Sequence, residues 1–577
     1  MRKLASVAAA AFLFAVPAVA AGEDSLDLQA LAERYVALRL EADPGLAYFT
    51  GLPVSDHSRL PDRSPKGLAR MQAEEDRLFA DLALIELDDL PAEEKPVYAT
   101  MQEGLEASRG LRVCRQALWD VNHFAGWQMG FPHLARLQPV TTAAERKQAL
   151  ARWSALPAFV ATEIENLRRG LDEGYSAPKP VVARVIRQLD GLLAMPREQS
   201  PFYAPALRAE DASFRAEYDK VYDTAVQPAI ESYRDFLVDE YLPRARESLA
   251  LSALPEGKRC YAAMLRASTT LDHGPEKVFA LGEETVARNR AEIVEIGRKL
   301  FGTDDVAEIV RRVNEAPDNR FRSADELLAY SKGRLARALE KSRPLFTKLP
   351  ETPVVIEVMP DHQSASGMSA HYIPGENRET PGKYIIPLSH WETDTRATAD
   401  ITLVHETVPG HHLQIALTFE QPQSSPVMRL VENAAFIEGW ARYAEMLGEE
   451  AGIHDDDFAR ITRRIWPARG MVVDPGLHVF GWSREQAIDY LVDSGRFDEA
   501  QAEEMVDRIA ALPGQLTSYD SGGLEIMNLR REAEMTLGKR FDLRAFHERV
   551  LERGVVPLLE LRRHVRAWIA AEAKEGR

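Results

Sequence analysis

From residue 26 to about residue 350, apolar side chains recur three and four positions apart with charges between them, the spacing that lays one face of a helix on a core. The stretches 27–43, 64–84, 142–174 and 275–302 carry this pattern most clearly, with Pro or Gly at their ends. Several open on Ser, Thr or Asp and close on Gly. That is the asymmetry of helix caps, because the first N–H groups need an acceptor and the last turn admits a left-handed residue. No fixed period recurs and no low-complexity tract interrupts the pattern, so a stack of repeats is not expected.

The pattern changes at 352–360, TPVVIEVMP, where β-branched residues and short alternation replace helical spacing. A loop rich in Gly and Ser follows, and 371–389, HYIPGENRETPGKYIIPLS, reads as two short strands joined by a turn. The stretch 393–420 then begins an interrupted helix containing three histidines, 431–452 is a second clear helix, and helices run on to the C-terminus. At 577 residues and 64.5 kDa the chain exceeds the roughly 250–300 residues at which single cores stop growing. The expected fold is mainly α: a large helical protein with a small antiparallel sheet beside a kinked metal-binding helix, its lobes flanking a cleft. The expected divisions are a signal peptide at 1–20, a helical lobe at 21–350 and a catalytic lobe at 351–577.

The first residues alter the picture of where the protein works. Arg2 and Lys3 precede an apolar run at 4–16, then small residues around Ala18, Val19 and Ala20, then GEDS. That order is a secretory signal peptide, and the run is shorter than the ~20 residues a spanning helix needs. A secreted, periplasmic protein with no membrane span is expected, and no cysteine follows the small-residue site to carry a lipid. Formal charge is -18; removing 1–20 deletes two cations and no acids, leaving 69 against 89, or -20. Such a surface repels polyphosphates, so nucleic acid is not an expected partner. Cys114 and Cys260 are the only cysteines. Their pairing is left open, and two thiols are too few for a cysteine-rich zinc site.

The candidate chemistry lies at 404–414, VHETVPGHHLQ. Zinc is commonly held by two histidines at i and i+4 of a helix, which project from one face, with a glutamate after the first as general base. Here His405 and Glu406 are present but the i+4 position is Pro409; the next histidines are His411 and His412. In an unbroken helix the i+7 residue returns to the same face roughly 10 Å along the axis, too far to share an ion easily. A bulge at Pro409 and Gly410 resolves this, since proline lacks the N–H and glycine tolerates unusual dihedrals. His411 then replaces the missing ligand and His412 becomes a neighbouring or substrate-contacting group; the reverse assignment stays open. A catalytic zinc keeps one position free, so one more protein ligand is needed. Of Glu432, Glu438 and Glu445, Glu438 lies among Phe436, Ile437 and Trp440, where a buried acid needs a partner. Glu438 is the expected ligand, with Glu432 and Glu445 as acids that orient the histidines. One Zn2+ per chain is expected, although imidazole and carboxylate also suit manganese or cobalt.

The segments HETVPGHHLQ, FIEGWARYAE, DPGLHVFGWSREQAI and LPGQLTSYDSGGLEIMNLR resemble the bacterial family known as the domain of unknown function numbered eight hundred and eighty-five. The resemblance covers nearly the whole mature chain, with its most specific pieces between residues 374 and 530; His371 with Tyr372 departs from an expected aromatic pair. It implies a zinc peptidase fold with two histidines from one helix and a glutamate from a later one. Such a site uses metal-activated water, with Glu406 as general base passing the proton to the leaving amine. Tyr519 and His478 are the candidate oxyanion donors. Tyr519 alternatively reads as a tyrosine with a satisfied hydroxyl, and His478 as a packed histidine held by Asp474. Arg469 and Arg530 are candidate carboxylate clamps, or structural ion-pair partners. Tyr372 and Tyr384 are candidate substrate contacts on the strands, and the edge of KYIIPLS a candidate for strand addition.

Three functions fit these residues: a secreted zinc-dependent peptidase, a zinc amidase acting on a non-peptide or cell-wall amide, and a non-catalytic periplasmic metal- or peptide-binding protein. Glu406 argues against the last, because storing a metal needs no adjacent base. No Gly-x-Ser-x-Gly elbow is present for a serine hydrolase. The oligomeric state is not legible.

Overall fold

The computed structural model describes residues 27–360, 369–375, 379–389, 391–421, 425–430 and 433–575. The expected signal peptide lies outside them. Helix dominates, and its boundaries follow the local chemistry. Helix α1 (Leu28–Ala42) starts at Asp27, whose carboxylate accepts the Gln29 N–H, and α2 (Pro65–Leu82) starts at Ser64, which accepts from Gly67. The pattern over 142–174 is two helices. Helix α3 (Ala143–Ser154) is held by a reciprocal Thr142–Glu145 capping box, and α4 (Leu156–Glu173) begins beyond Ala155. Pro157, in the first turn of α4, has no N–H to continue the ladder, so the chain turns there without losing its apolar face. The long α5 (Pro275–Phe301) opens on proline and closes on Gly302 at φ +68°, a conformation glycine adopts without a steric cost.

The sheet has strands β1 (Val354–Val358), β2 (His371–Ile373) and β3 (Gly382–Ile386) in the order β1-β3-β2. β3 pairs parallel to β1, Val354 with Gly382 through Val358 with Ile386, and antiparallel to β2, Tyr372 with Tyr384. The sheet is therefore mixed rather than antiparallel. Two reversals, into β2 and back into β3, return the chain to the direction of β1. The KYIIPLS segment is the central strand, so it offers no free edge for strand addition; the edges are β1 and β2.

Helices α6 (Arg396–Glu406), α7 (His411–Glu420), α8 (Ala434–Glu450), α9 (Arg469–His478), α10 (Glu499–Ala511) and α11 (Thr517–Leu537) follow. The sheet rests on α6 through Tyr384, Ile386, Leu403 and Val404. α8 and α11 cross where Gly439 meets Gly522. A β-carbon on Gly522 would lie 1.8 Å from the Ala435 carbonyl oxygen, so the two backbones touch at a point no side chain could occupy. Most of the hydrophobic cores draw on both sides of residue 350, and two show it plainly. One sets Val427 and Leu430 against Leu31, Tyr35 and Met101, and the other joins Cys114, Tyr261 and Leu265 to Ala468 and Met471. Cys114 and Cys260 form a disulfide. Among the described residues no helix is long and apolar enough to cross a membrane.

Candidate metal centre

α6 stops at Glu406 and α7 starts at His411. The interruption is a four-residue break between two helices, where the sequence pattern suggested a two-residue bulge in one. Proline removes a donor at 409, and Gly410 comes back over the last turn of α6. A β-carbon there would stand 2.0 Å from the His405 carbonyl oxygen and 2.3 Å from that of Val404. Only a hydrogen fits. The Thr407 N–H still reaches Leu403 O at 2.8 Å, and the Trp440 indole N–H of α8 donates to Pro409 O at 2.8 Å, tying the break to the helix that carries Glu438.

The break brings His405, His411 and Glu438 together, one potential ligand atom from each lying within 4.8 Å of the others. Glu438 Oε2 is 3.3 Å from His405 Nε2 and 3.4 Å from His411 Nε2. Those spacings match the edge of a tetrahedron, about 3.3 Å, for bonds of ~2.0–2.1 Å from a central zinc. They are not hydrogen bonds: Glu438 Oε2 is buried without a hydrogen-bond partner, as is His411 Nδ1. Two ring nitrogens and an orphaned carboxylate oxygen pointing at common space are the donor set a divalent cation takes.

A second layer fixes the histidine. Glu445 Oε1 lies 2.8 Å from His405 Nδ1 and accepts from Arg442 at 2.7 Å. Burial alone would raise the Glu445 carboxyl, but Arg442 and His405 outweigh it and hold it down to about 2. The ionised carboxylate can only accept, so Nδ1 carries the proton and Nε2 can offer its lone pair toward Glu438 when the imidazole is neutral. Burial opposes charge on His405, yet Glu438, Glu445 and Glu406 together push it up to about 10. Burial likewise opposes charge on Glu438, but His405 and His411 hold it well below the usual carboxylate range. The pocket carries negative charge that must be met by a proton or a metal cation.

Glu406, at the end of α6, is pinned from the sheet: its Oε2 accepts the Tyr372 N–H of β2 at 2.9 Å. The Tyr372 hydroxyl meets His412 Nδ1 at 3.0 Å, and His412 Nε2 reaches the Thr352 carbonyl at 3.1 Å. His412 is buried, burial pushes its pKa down to about 4, and both its nitrogens are used. It braces the sheet against α7 and leaves the cluster to His411. Tyr519 stands on α11 beside the Gly439–Gly522 crossing, one turn from Gly523, with the Arg442 guanidinium 5.8 Å from its ring centroid. Burial raises its hydroxyl pKa, and the charge of Glu438 adds to the rise.

Other sequence candidates sit elsewhere. His478 is fully buried against Tyr261; its Nδ1 accepts the Leu251 N–H at 3.2 Å and its Nε2 reaches Ile509 O at 3.0 Å, so it has nothing left for an oxyanion. Asp474 does not hold it. That carboxylate accepts from Tyr261 at 2.8 Å and from Gly514 N–H at 2.9 Å, and burial pushes it up to about 7. Arg469 is buried and donates to the carbonyls of Ile465 at 2.9 Å and Tyr490 at 3.3 Å. Arg530 pairs with Glu450 at 2.8 Å and Glu534 at 2.9 Å. Both arginines are structural. Tyr384 is buried in the central strand, where substrate cannot touch it. Glu432 lies outside the described residues. Arg442, which sequence reading passed over, could have been found by spacing, since it lies between Glu438 and Glu445 at helical intervals.

The profile of a family described as bacterial protein of unknown function (DUF885) matches residues 44–565. A crystal structure of a Colwellia psychrerythraea protein described as a lipoprotein is similar at TM-score 0.83 and 25% identity, covering 94% of this chain and 99% of that one. A Shewanella oneidensis protein described as a lipoprotein of unknown function shares the fold at TM-score 0.78 and 20% identity, covering 93% and 99%. No curated protein matches.

Proposed function

The chain belongs to the DUF885 family, and within that family we propose that it is an exported zinc-dependent peptidase with one metal ion per chain. The observation that carries this reading is the convergence of His405, His411 and Glu438, with an orphaned Glu438 oxygen 3.3 and 3.4 Å from the two ring nitrogens. A divalent cation held there supplies Lewis acidity at an acyl oxygen and makes water acidic enough to react at neutral pH. The chain's own residues do the rest. Glu406, one position after a ligand and anchored through one oxygen to β2, keeps its other oxygen to take a proton from water and return it to the leaving amine. Tyr519, across the α8–α11 crossing from Glu438, offers a hydroxyl to the developing oxyanion. Glu445 and Arg442 hold His405 in one tautomer. The Cys114–Cys260 disulfide suits an oxidising compartment, and the lipoprotein descriptions of the two structural relatives agree with a place in the cell envelope.

The test is a peptide library read by mass spectrometry with metal-loaded protein. Glu406→Gln should keep the metal and lose turnover at least about a hundredfold. Metal-loaded protein that cleaves no peptide but opens a non-peptide amide would move the assignment to an amidase. Protein that opens neither would refute a catalytic role.

A further inference from the structure

α10 brings an arginine without an acid to the neighbourhood of the cluster. Asp507, the adjacent carboxylate, is taken by Arg184 at 2.7 Å and by Arg484. Among the described residues no carboxylate lies within ion-pair distance of Arg508. Its one hydrogen bond to an acceptor at full geometry runs from a terminal nitrogen to Gln515 Oε1 at 3.1 Å, and its Nε is buried with no partner at all. The guanidinium lies 5.9 Å from the ring centroid of Phe124, a residue of the N-terminal half that is 47% exposed. Gln515 leads into α11 one turn before Tyr519, whose ring lies 5.8 Å from the Arg442 guanidinium, one helical turn along α8 from Glu438.

Arg152 and Arg469 also lack an acid, but both are buried and held by neutral oxygens: Arg59 O, the Tyr48 hydroxyl and Gln138 for the first, the Ile465 and Tyr490 carbonyls for the second. Arg508 differs in being half-buried beside the Phe124 ring with Gln515 as its one hydrogen-bonded acceptor, which leaves guanidinium N–H groups for an anion that a ligand can bring. We propose that Arg508, with Gln515 beside it and Phe124 behind it, receives a carboxylate of the substrate, so that the centre selects peptides carrying a free carboxylate close to the bond it cleaves. The planar fork of a guanidinium matches a carboxylate through two parallel N–H bonds, and the exposed face of Phe124 leaves an apolar wall for the side chain next to it. A C-terminal carboxylate and an Asp or Glu side chain present the same chemistry. The inference rests on the peptidase reading above for its substrate but not for its binding.

Matched peptides decide it: free-acid and C-terminally amidated versions of one sequence, and amidated versions with Glu or Gln near the end. With metal-loaded wild type, neutralising the carboxylate should lower kcat/KM at least about tenfold, mostly through KM. The pair that shows the effect identifies terminal or side-chain carboxylate as the source. In Arg508→Gln the acid-to-neutral ratio should fall to about one, and Arg508→Lys should keep part of it. The ratio is taken within each protein, so a general loss of fold or activity does not move it. Binding of the same pairs to Glu406→Gln, followed calorimetrically, gives the preference without turnover. A preference in binding with no cleavage by wild type would sink the peptidase reading and leave the carboxylate site standing. Equal treatment of every pair by wild type, no binding of any acid peptide at millimolar concentration, or an unchanged ratio in Arg508→Gln would overturn the inference.

Discussion

Replacing Gly410 by alanine should disable the metal centre without touching a ligand. The new β-carbon would sit 2.0 Å from His405 O, whereas real β-carbons essentially never come within 3.0 Å of such an atom. The break must therefore open by about 1 Å (3.0 minus 2.0), and the residue that follows is His411. Metal ligands tolerate about 0.2 Å of misplacement, so the expected displacement at His411 is several times too large. Overpacking of this kind also costs about 1–3 kcal/mol of stability. Affinity for zinc, measured by competition with a chromophoric chelator, should fall at least about tenfold, with thermal unfolding of the metal-free protein recorded in parallel. Gly191→Ala is the control, because a β-carbon there meets nothing within 4 Å; it should leave affinity unchanged and unfolding the same or slightly later. If Gly410→Ala binds zinc as tightly as wild type, the close return of the chain over α6 does not position His411, and this account of the Pro-Gly break is wrong.

Other outcomes follow from the same structure. Glu445→Gln removes the charge that fixes the His405 tautomer, and zinc affinity should drop about 10- to 100-fold with the fold intact; an unchanged affinity would remove Glu445 from the centre. His547 is buried between the Tyr443 hydroxyl at 2.7 Å and Leu345 O at 2.8 Å, and burial lowers its pKa from 6.5 to about 4. The unfolded chain therefore binds the extra proton first: this stabilisation is complete above pH 6.5 and is lost as pH falls toward 4, about 2 kcal/mol by pH 5. Urea unfolding at pH 7.5 and pH 5 should show that difference shrinking in His547→Gln, and a variant with the wild-type pH dependence would refute it. The disulfide spans a sequence separation of 146, for which loop-closure entropy gives up to about 5 kcal/mol. Reducing it, or the Cys114→Ser, Cys260→Ser pair, should lower the unfolding temperature clearly; an unchanged temperature under reductant would show that the cross-link contributes little.

The helices were legible because burial imprints its period on the sequence, and the caps at Asp27, Ser64 and Thr142 marked where they begin. The sheet was legible as strands but not as a topology. Which strand lies in the middle depends on pairing between segments, and nothing in KYIIPLS itself says that both its edges are occupied. The site was readable where its chemistry is local: His405 and Glu406 are neighbours, and the Pro-Gly pair announces the break that sets His411. Glu438 stood out as an acid among apolar residues. His478 and Arg469 stayed between a functional and a structural reading for the opposite reason. A histidine after Asp-Pro-Gly-Leu looks the same whether its ring faces substrate or, as here, the backbone of Leu251 and Ile509 from distant segments. Arg508 passed unnoticed because its want of an acid is decided far away, at Arg184, which takes the neighbouring Asp507.

Metal content of protein purified under metal-replete conditions, determined by mass spectrometry on wild type, His411→Ala and His412→Ala side by side, tests the central claim most directly. The expected result is one divalent ion per chain in wild type, retained by His412→Ala and lost by His411→Ala. Wild type with no bound metal, or metal kept by His411→Ala, would contradict it.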